Sequence, residues 1–347
     1  MRKARLLLLP IAALYWVGTS VRNLLYNIGV LRQRRFATPV ICVGNITVGG
    51  TGKTPLTEHV VRLLKSEGHR VGIVSRGYKR KTKGQIVATT GMTAEEIGDE
   101  PCQMKRKFPW AEVVVDADRA AAIDKAVELG ADVVVMDDGM QHRSVRPCGL
   151  MLVVDYARPM WRDWPLPAGD LREDRTARLR ADIIIINKCP ADMTKGQAEN
   201  FMSHMSLNDG QKVYFCTIDY GALVRRDGSE VDPEEAALRG GVAVAGIGRP
   251  DPFFVEVERR MADCRTRRMS FPDHHAYTES DMTDIVSVLN EVGPDSVCIC
   301  TEKDSMRLPD IEHHETWILP IKLKVLFGQE AELNRGIDLI MNKKETD

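Results

Sequence analysis

Short runs of valine, isoleucine and leucine recur along the chain, and amphipathic segments separate most of them. Val40 to Val43, Arg70 to Ser75, Gln85 to Thr89, Val113 to Val115, Val133 to Met136, Leu150 to Asp155 and Ile183 to Asn187 read as strands. Between them, Leu56, Val60, Val61 and Leu64 recur at helical spacing, with Gly68 placed to stop the helix, and DRAAAIDKAVELG predicts another. Strands that are apolar on both faces and alternate with helices predict a parallel sheet covered on both sides. From about residue 210 the pattern restarts. Val213 to Ile218, Val242 to Ala245, Val297 to Thr301 and Trp317 to Ile321 read as strands of a second α/β unit. A chain of 347 residues is long for one small domain. The expected division is a head at 1–35, a core at 36–210 and a smaller C-terminal α/β unit at 211–347.

The head breaks this rhythm. Arg2, Lys3 and Arg5 precede an apolar run of 13 residues, Leu6 to Gly18, shorter than the ~20 needed to span a bilayer. A signal peptide starts similarly, but no small-residue cleavage pattern follows, and the chain continues as the basic, amphipathic TSVRNLLYNIGVLRQRRF. Tyr15, Trp16 and Tyr26 suit headgroup depth, and Arg32, Arg34 and Arg35 suit anionic lipid phosphates. The segment reads as a helix seated in one leaflet from the cytoplasmic side, with a buried core helix as the alternative.

Charge sharpens that reading. The formal net charge is −1, yet residues 1–83 hold 16 Lys or Arg against only Glu58 and Glu67, a net +14, so the other 264 residues carry −15. A basic head points to an anionic surface or substrate, and the apolar run in front favours a membrane over nucleic acid. Hydrophobic residues at 44% and charged residues at 28% are those of a globular protein with a substantial core. Eight cysteines without paired spacing read as reduced and structural.

The clearest chemistry lies in Pro39 to Thr54, PVICVGNITVGGTGKT. Thr47, Val48, Gly49, Gly50, Thr51 and Gly52 form a loop whose amides can turn inward around phosphates, backed by the positive end of the next helix. Lys53 reaches the terminal phosphates and Thr54 offers a hydroxyl to Mg²⁺. Thr47 stands where the consensus G-x-x-x-x-G-K-[ST] has its first glycine. Asp137 and Asp138 follow an apolar strand, the place where such a fold holds its magnesium; an Asp-Gly turn with a solvated acid is the plainer alternative. The expected class is a P-loop NTPase-like α/β core, its mostly parallel sheet flanked by helices, with a smaller α/β domain and an N-terminal membrane-anchoring helix.

Other segments add candidates. The basic loop Arg76 to Gly84 reads equally as a solvated loop or as a seat for an anionic headgroup or substrate phosphate. The long segment YARPMWRDWPLPAGDLRED offers Trp161 and Trp164 as an apolar wall and Arg172 as a fork for phosphate. Asn187-Lys188 matches the start of a guanine-reading N-K-x-D, but Pro190 replaces the aspartate. Gly246 to Pro250 reads as a simple turn. Asp273-His274-His275 suits metal binding or proton transfer, and no matching His or Cys spacing supports zinc. Thr301 to Asp304 suits a surface turn or nucleotide contacts.

Taken in order, VGNITVGGTGKTP, SRGY, GDEP, DDGMQH, PAGDLRE, AGIGRP, FPDHHAY and TEKD resemble the tetraacyldisaccharide 4′-kinase family of lipid A biosynthesis. The resemblance covers about residues 39 to 304 and makes Thr47 a family trait. It implies ATP and Mg²⁺, and γ-phosphate transfer to the 4′-hydroxyl of an acylated glucosamine disaccharide 1-phosphate at the cytoplasmic face of the inner membrane. It also implies roles. Asp99 is the base, His274 tunes it from the second unit, and Glu100 assists Thr54, Asp137 and Asp138 at the metal or helps with the sugar. Ser75, Arg76, Tyr78, Gln141, His142 and Arg172 face the acceptor. The competing reading is a P-loop GTPase or metallochaperone-type switch, against which the missing aspartate and the scattered cysteines weigh.

Overall fold

The computed structural model describes residues 5–261 and 266–343; the basic start at Arg2 and Lys3 lies outside the described residues. Its strands are β1 (Val40–Gly44), β2 (Val71–Ser75), β3 (Ile86–Val87), β4 (Glu112–Val115), β5 (Val133–Asp137), β6 (Gly149–Asp155) and β7 (Ile183–Asn187). There follow β8 (Lys212–Tyr220), β9 (Val224–Arg225), β10 (Gly241–Ala245), β11 (Thr266–Ser270), β12 (Val297–Thr301), β13 (Thr316–Leu319) and β14 (Ile321–Val325). The larger sheet runs β14-β8-β7-β6-β1-β5-β2-β4-β3, parallel except for its two edge strands. The smaller runs β11-β10-β12-β13-β9, with only β9 antiparallel.

β1 lies in the middle of the larger sheet, with Val40 opposite Val134 of β5 and Ile41 opposite Gly149 of β6. All five of its residues are buried, because helices cover both faces, which is why the strand reads as a continuous apolar run. The helix Lys53–Ser66 packs Leu56, Val60, Val61 and Leu64 into one core layer with Ile41, Val43, Val135 and Met151. In open α/β sheets ligands bind beyond the carboxyl ends of the strands, at the crevice where crossovers diverge. Here β1, β5 and β6 end together at that crevice.

The sheets divide the chain differently from the expected break at 210/211. β8 pairs in parallel with β7, Ile184 opposite Val213. β14 returns to pair with β8, and the helix Glu330–Met341 places Leu333, Ile337, Ile340 and Met341 in the core that contains β1. The smaller sheet therefore occupies 224–319. Apolar content marks a strand but carries no information about its partner, so Val213 to Ile218 could not be assigned from its own letters. Pro320, which has no N–H for a ladder, separates β13 from β14.

The head forms one helix from Leu9 to Asn27, entered through a tight turn at Leu6–Leu8. Together these 22 residues are long and apolar enough to cross a membrane by length and composition. Only Ala12 is buried in it, which removes the core-helix alternative, while Leu7 and Leu14 are 83% and 75% exposed. Polar contacts hold it down. Arg5 donates to Asp170 (3.0 Å) and Pro167 O (3.1 Å), Tyr15 to Arg172 O (2.8 Å), Trp16 to Asp174 (2.8 Å) and Asn23 to Glu173 (2.9 Å). Tyr15 and Trp16 thus hydrogen-bond to the 170–174 segment while staying 37% and 42% exposed, and Arg34 forms an exposed pair with Asp124 at 2.6 Å.

If the C-terminal helix is part of the phosphate-site core, Ile337→Ala will destabilise the protein by about 2–5 kcal/mol, the range for emptying a buried aliphatic position. Urea unfolding followed by β-sheet and nucleotide-site probes measures this. A loss under about 0.5 kcal/mol would show the helix is peripheral.

Candidate functional site

The loop after β1 is held open by its neighbours. Thr47 forms an extended bridge with Leu171, and Val48 N donates to Asp170 O at 2.8 Å. An extended residue needs no glycine, so Thr47 stands comfortably at the consensus glycine position. Gly49 and Gly52 carry the turn with φ of 101° and 95°. A Cβ on Gly52 would fall 1.9 Å from Asn187 Nδ2. The helix then begins at Lys53 with no side chain capping it, leaving amides that suit an anion.

Asn187 and Lys188 do more here than the sequence suggests. Asn187 Nδ2 donates to Thr51 O (3.1 Å), and Lys188 Nζ donates to Gly50 O. Lys188 and Arg249, the latter from the smaller unit, both lie 3.6 Å from the buried Asp155 at the end of β6. The pair braces the phosphate loop from beneath. The fragmentary guanine motif Asn187-Lys188 marks this contact in the sequence even without its aspartate.

At the end of β5 two neighbouring acids differ sharply. Asp138, at φ 48°, lies 3.6 Å from Lys53 Nζ and 3.1 Å from Arg172 Nη1. Burial would raise its pKa, but Lys53 and Arg172 outweigh it and leave Asp138 below the usual range. Asp137 is 3% exposed and, among the described residues, its side chain accepts only Thr57 Oγ1, at 3.0 Å. Burial, then the charges of Glu100 and Asp138, push its pKa up to about 7. Among the described residues no three His, Cys, Asp or Glu form a ready metal cage. Mg²⁺ usually takes one or two carboxylates plus waters and substrate phosphates, and the poorly compensated Asp137 fits that demand. The structure brings Asp137, Asp138 and Lys53 together. It engages Arg172 with Asp138 and Gln141, at 3.1 and 3.4 Å, instead of leaving it free for a substrate phosphate.

Asp99 opens the helix Asp99–Lys107 and is 2% exposed. Across the gap between the two sheets, His274 Nδ1 lies 2.7 Å from Asp99 Oδ2. Arg307 donates Nε to Asp99 Oδ1 at 2.5 Å and Nη2 to Oδ2. Burial alone would raise Asp99, but the His274 hydrogen bond and Arg307 outweigh it and hold its carboxyl below the usual range. The sequence points to the Asp-His pair but not to Arg307. His275 turns away to Asp281 (2.9 Å) and stacks on Phe271, so the two histidines share no ligand. Gly246 is not a simple turn. A Cβ there would meet Asp304 Oδ1 at 2.8 Å, and its N–H donates to Asp304 Oδ2 at 3.0 Å. Asp304 also accepts from Thr301 (2.6 Å) and Tyr277 (3.0 Å), making it a buried brace, not a surface or nucleotide group.

On the other side, a Cβ on Gly98 would lie 2.8 Å from Gly77 Cα, so SRGY packs backbone to backbone against GDEP. Ser75 is buried at the end of β2, Arg76 and Tyr78 are exposed, and the Tyr78 ring stands edge-on to His274 at 5.7 Å. Gln141 Nε2 donates to Asn45 O at 2.8 Å. Burial, then the charges of Arg119, Arg76 and Arg22, push His142 down to about 4, so the ring is neutral at pH 7. Arg119 has no marked sequence signal, yet it is 2% exposed and its Nε has no hydrogen-bond partner among the described residues. A buried guanidinium with a spare donor, within the field of Arg76, suits an anion.

Known proteins resemble this chain over nearly its whole length. The family model for tetraacyldisaccharide-1-P 4′-kinase matches residues 4–342. A Porphyromonas gingivalis protein named tetraacyldisaccharide 4′-kinase is 41% identical over 96% of this chain and 97% of its own length. One of that name from Flavobacterium johnsoniae is 36% identical over 99% of both. The crystal structure of LpxK from Aquifex aeolicus in complex with ATP has a TM-score of 0.77 and 30% identity, covering 97% of this chain and 99% of the other. A phosphate loop braced by Asn187 and Lys188, facing paired acids and a buried Asp-His contact, is thus found in a chain that belongs to the tetraacyldisaccharide-1-P 4′-kinase family.

Proposed function

We propose that this chain transfers the γ-phosphate of ATP to the 4′-hydroxyl of a tetraacylated glucosamine disaccharide 1-phosphate. The observation that carries the site assignment is the 2.7 Å contact between Asp99 and His274. It puts an ionised carboxylate beside Glu100, whose charge reaches Asp137 at the end of β5. Asp99 accepts the hydroxyl proton, and His274 orients its carboxylate. Phosphoryl transfer needs alignment and charge neutralisation more than covalent chemistry. The loop amides from Gly49 to Thr54 and the Lys53 ammonium supply these on the donor side. Thr54, Asp137 and Asp138, assisted by Glu100, would hold Mg²⁺. Bound there, the ion would neutralise charge on the β- and γ-phosphates and relieve the carboxylate repulsion at Asp137.

On the acceptor side, Arg119 and Arg76 bind the 1-phosphate, with the neutral His142 and Ser75, Tyr78 and Gln141 around the sugar. Arg172 acts through Asp138. The exposed apolar face of the N-terminal helix seats the enzyme on the cytoplasmic leaflet of the inner membrane, where the substrate's acyl chains lie.

Incubation with γ-labelled ATP and tetraacylated disaccharide 1-phosphate in detergent will put label into lipid. Label released only as free phosphate would replace the kinase with a nucleotide-hydrolysing switch. Asp99→Asn will lower kcat by about 10²–10⁴-fold, the usual share of a general base, with little change in ATP affinity. Near-normal turnover would remove the base assignment. Arg119→Ala will raise the KM for the acceptor about tenfold or more, with the KM for ATP unchanged, since a charge-assisted phosphate contact contributes about 1.5–3 kcal/mol. A rise in the KM for ATP instead would move Arg119 to the donor site. Replacing Leu7, Leu14 and Val21 by serine will abolish sedimentation with anionic vesicles while detergent-solubilised turnover persists; undiminished sedimentation would place the membrane contact elsewhere.

A further inference from the structure

Lys303 and Arg307 lie on the segment after β12, and both reach the Asp-His pair. Arg307 grips Asp99 with two donors, and its third arm, Nη1, donates to His275 O at 3.1 Å. Lys303 Nζ lies 3.0 Å from His274 Nε2 and 3.0 Å from Asp273 Oδ1. The next residue, Asp304, is 3% exposed and fixed by four hydrogen bonds, from Gly246 N, Tyr277, Thr301 Oγ1 and its own N–H to Thr301. The backbone that presents Lys303 is therefore anchored.

This arrangement decides where the imidazole proton sits. A lysine ammonium has donors and no acceptor. Its contact with Nε2 needs a lone pair there, so the neutral ring carries its hydrogen on Nδ1 and donates it to Asp99 Oδ2. Arg307 Nη2 also approaches Nδ1, at 3.0 Å. Both groups are then donors converging on the same carboxylate oxygen. His274 itself sits at φ 61° on a loop, a conformation that persists only where surrounding contacts over-determine it.

We propose that Lys303 and Arg307 are positioning residues for phosphoryl transfer: Arg307 aims the Asp99 carboxylate with a two-pronged fork, and Lys303 selects the Nδ1–H tautomer of His274. The proposal rests on the reading of Asp99 as the base. A misplacement near 1 Å at such a pair costs on the order of 100-fold in rate, which is why two cations of the smaller unit are committed to it. Neither touches the reacting atoms. Their effect belongs in kcat and not in substrate affinity.

The test uses the full chain with ATP and tetraacylated disaccharide 1-phosphate, comparing Lys303→Met, Lys303→Arg, Arg307→Ala, Arg307→Lys and Asp99→Asn. Lys303→Met and Arg307→Ala will each lower kcat on the order of 30-fold or more, with both KM values within about threefold. Lys303→Arg will recover much of the rate. Arg307→Lys keeps the charge but loses the fork and will recover less. The ¹⁵N shifts of His274 will report Nδ1–H in the native chain and a growing Nε2–H fraction in Lys303→Met. A raised KM at unchanged kcat, or Nε2–H in the native chain, would overturn the clamp. If Asp99→Asn keeps its rate, the base reading falls, while the nitrogen shifts still judge the clamp. If Asp99→Asn is dead but the Lys303 and Arg307 variants turn over normally, the clamp alone falls. Should Arg307→Ala fail to fold, the Lys303→Met rate and shifts decide the matter.

Discussion

A carboxylate taken out of water must find its counter-charge, and Asp99 finds it on the other sheet. It is 2% exposed; its counter-charge, Arg307, and its hydrogen-bond partner, His274, both come from the smaller unit. An unpaired ion at that depth costs several kcal/mol. Docking of the two sheets and ionisation of Asp99 are therefore one event. A second ionic link runs in parallel. Glu58, buried on the helix behind the phosphate loop, accepts from Arg62 (2.8 Å), Gln103 (2.9 Å) and Lys107 (2.7 Å). Lys107 also pairs with Glu302, which accepts Ile321 N at 3.0 Å where the chain returns to the larger sheet. The phosphate-loop helix, the Asp99 helix and the returning strand are thus tied by charge at a place where apolar packing alone would let them slide.

The same logic governs the nucleotide side. Asp138 is matched by Lys53 and Arg172, while Asp137, one residue away, is buried with one hydroxyl donor and repelled by two carboxylates. Two adjacent acids in opposite electrostatic states form an asymmetric pair. One is matched by cations, while for the other burial and two neighbouring carboxylates outweigh the pull of Lys53.

The N-terminal helix is attached through polar side chains at residues 170–174 and leaves its apolar side open. The anchoring segment is also the one that lies beside the phosphate loop, since Asp170 accepts from both Arg5 and Arg158, and Arg158 donates to Val48 O at 3.3 Å. The element proposed to meet lipid is thereby one residue removed from the element that cradles phosphate. Among the described residues, Ala12 is the only one of this helix that is buried, so its apolar side stays exposed.

By itself the sequence determined the local, period-based features. These were the buried parallel strands, the strand–glycine–helix cradle, the acid pair at the end of β5, the apolar basic head, and Asp99 with His274 through ordered motifs. Each depends on neighbours within a few residues or on a recognisable string. Only the tertiary structure decided the partners. Val213 to Ile218 and the C-terminal helix joined the larger sheet because pairing is set by which edge is available. Arg172 went to Asp138, and Asn187-Lys188 braced the loop despite lacking the guanine-reading acid. Arg119 became a functional candidate through burial, and Lys303 and Arg307 through their approach to the Asp99–His274 pair, Arg307 across 208 residues of chain. A lone basic residue has no periodicity to read. Its meaning comes from the charge that folding brings beside it.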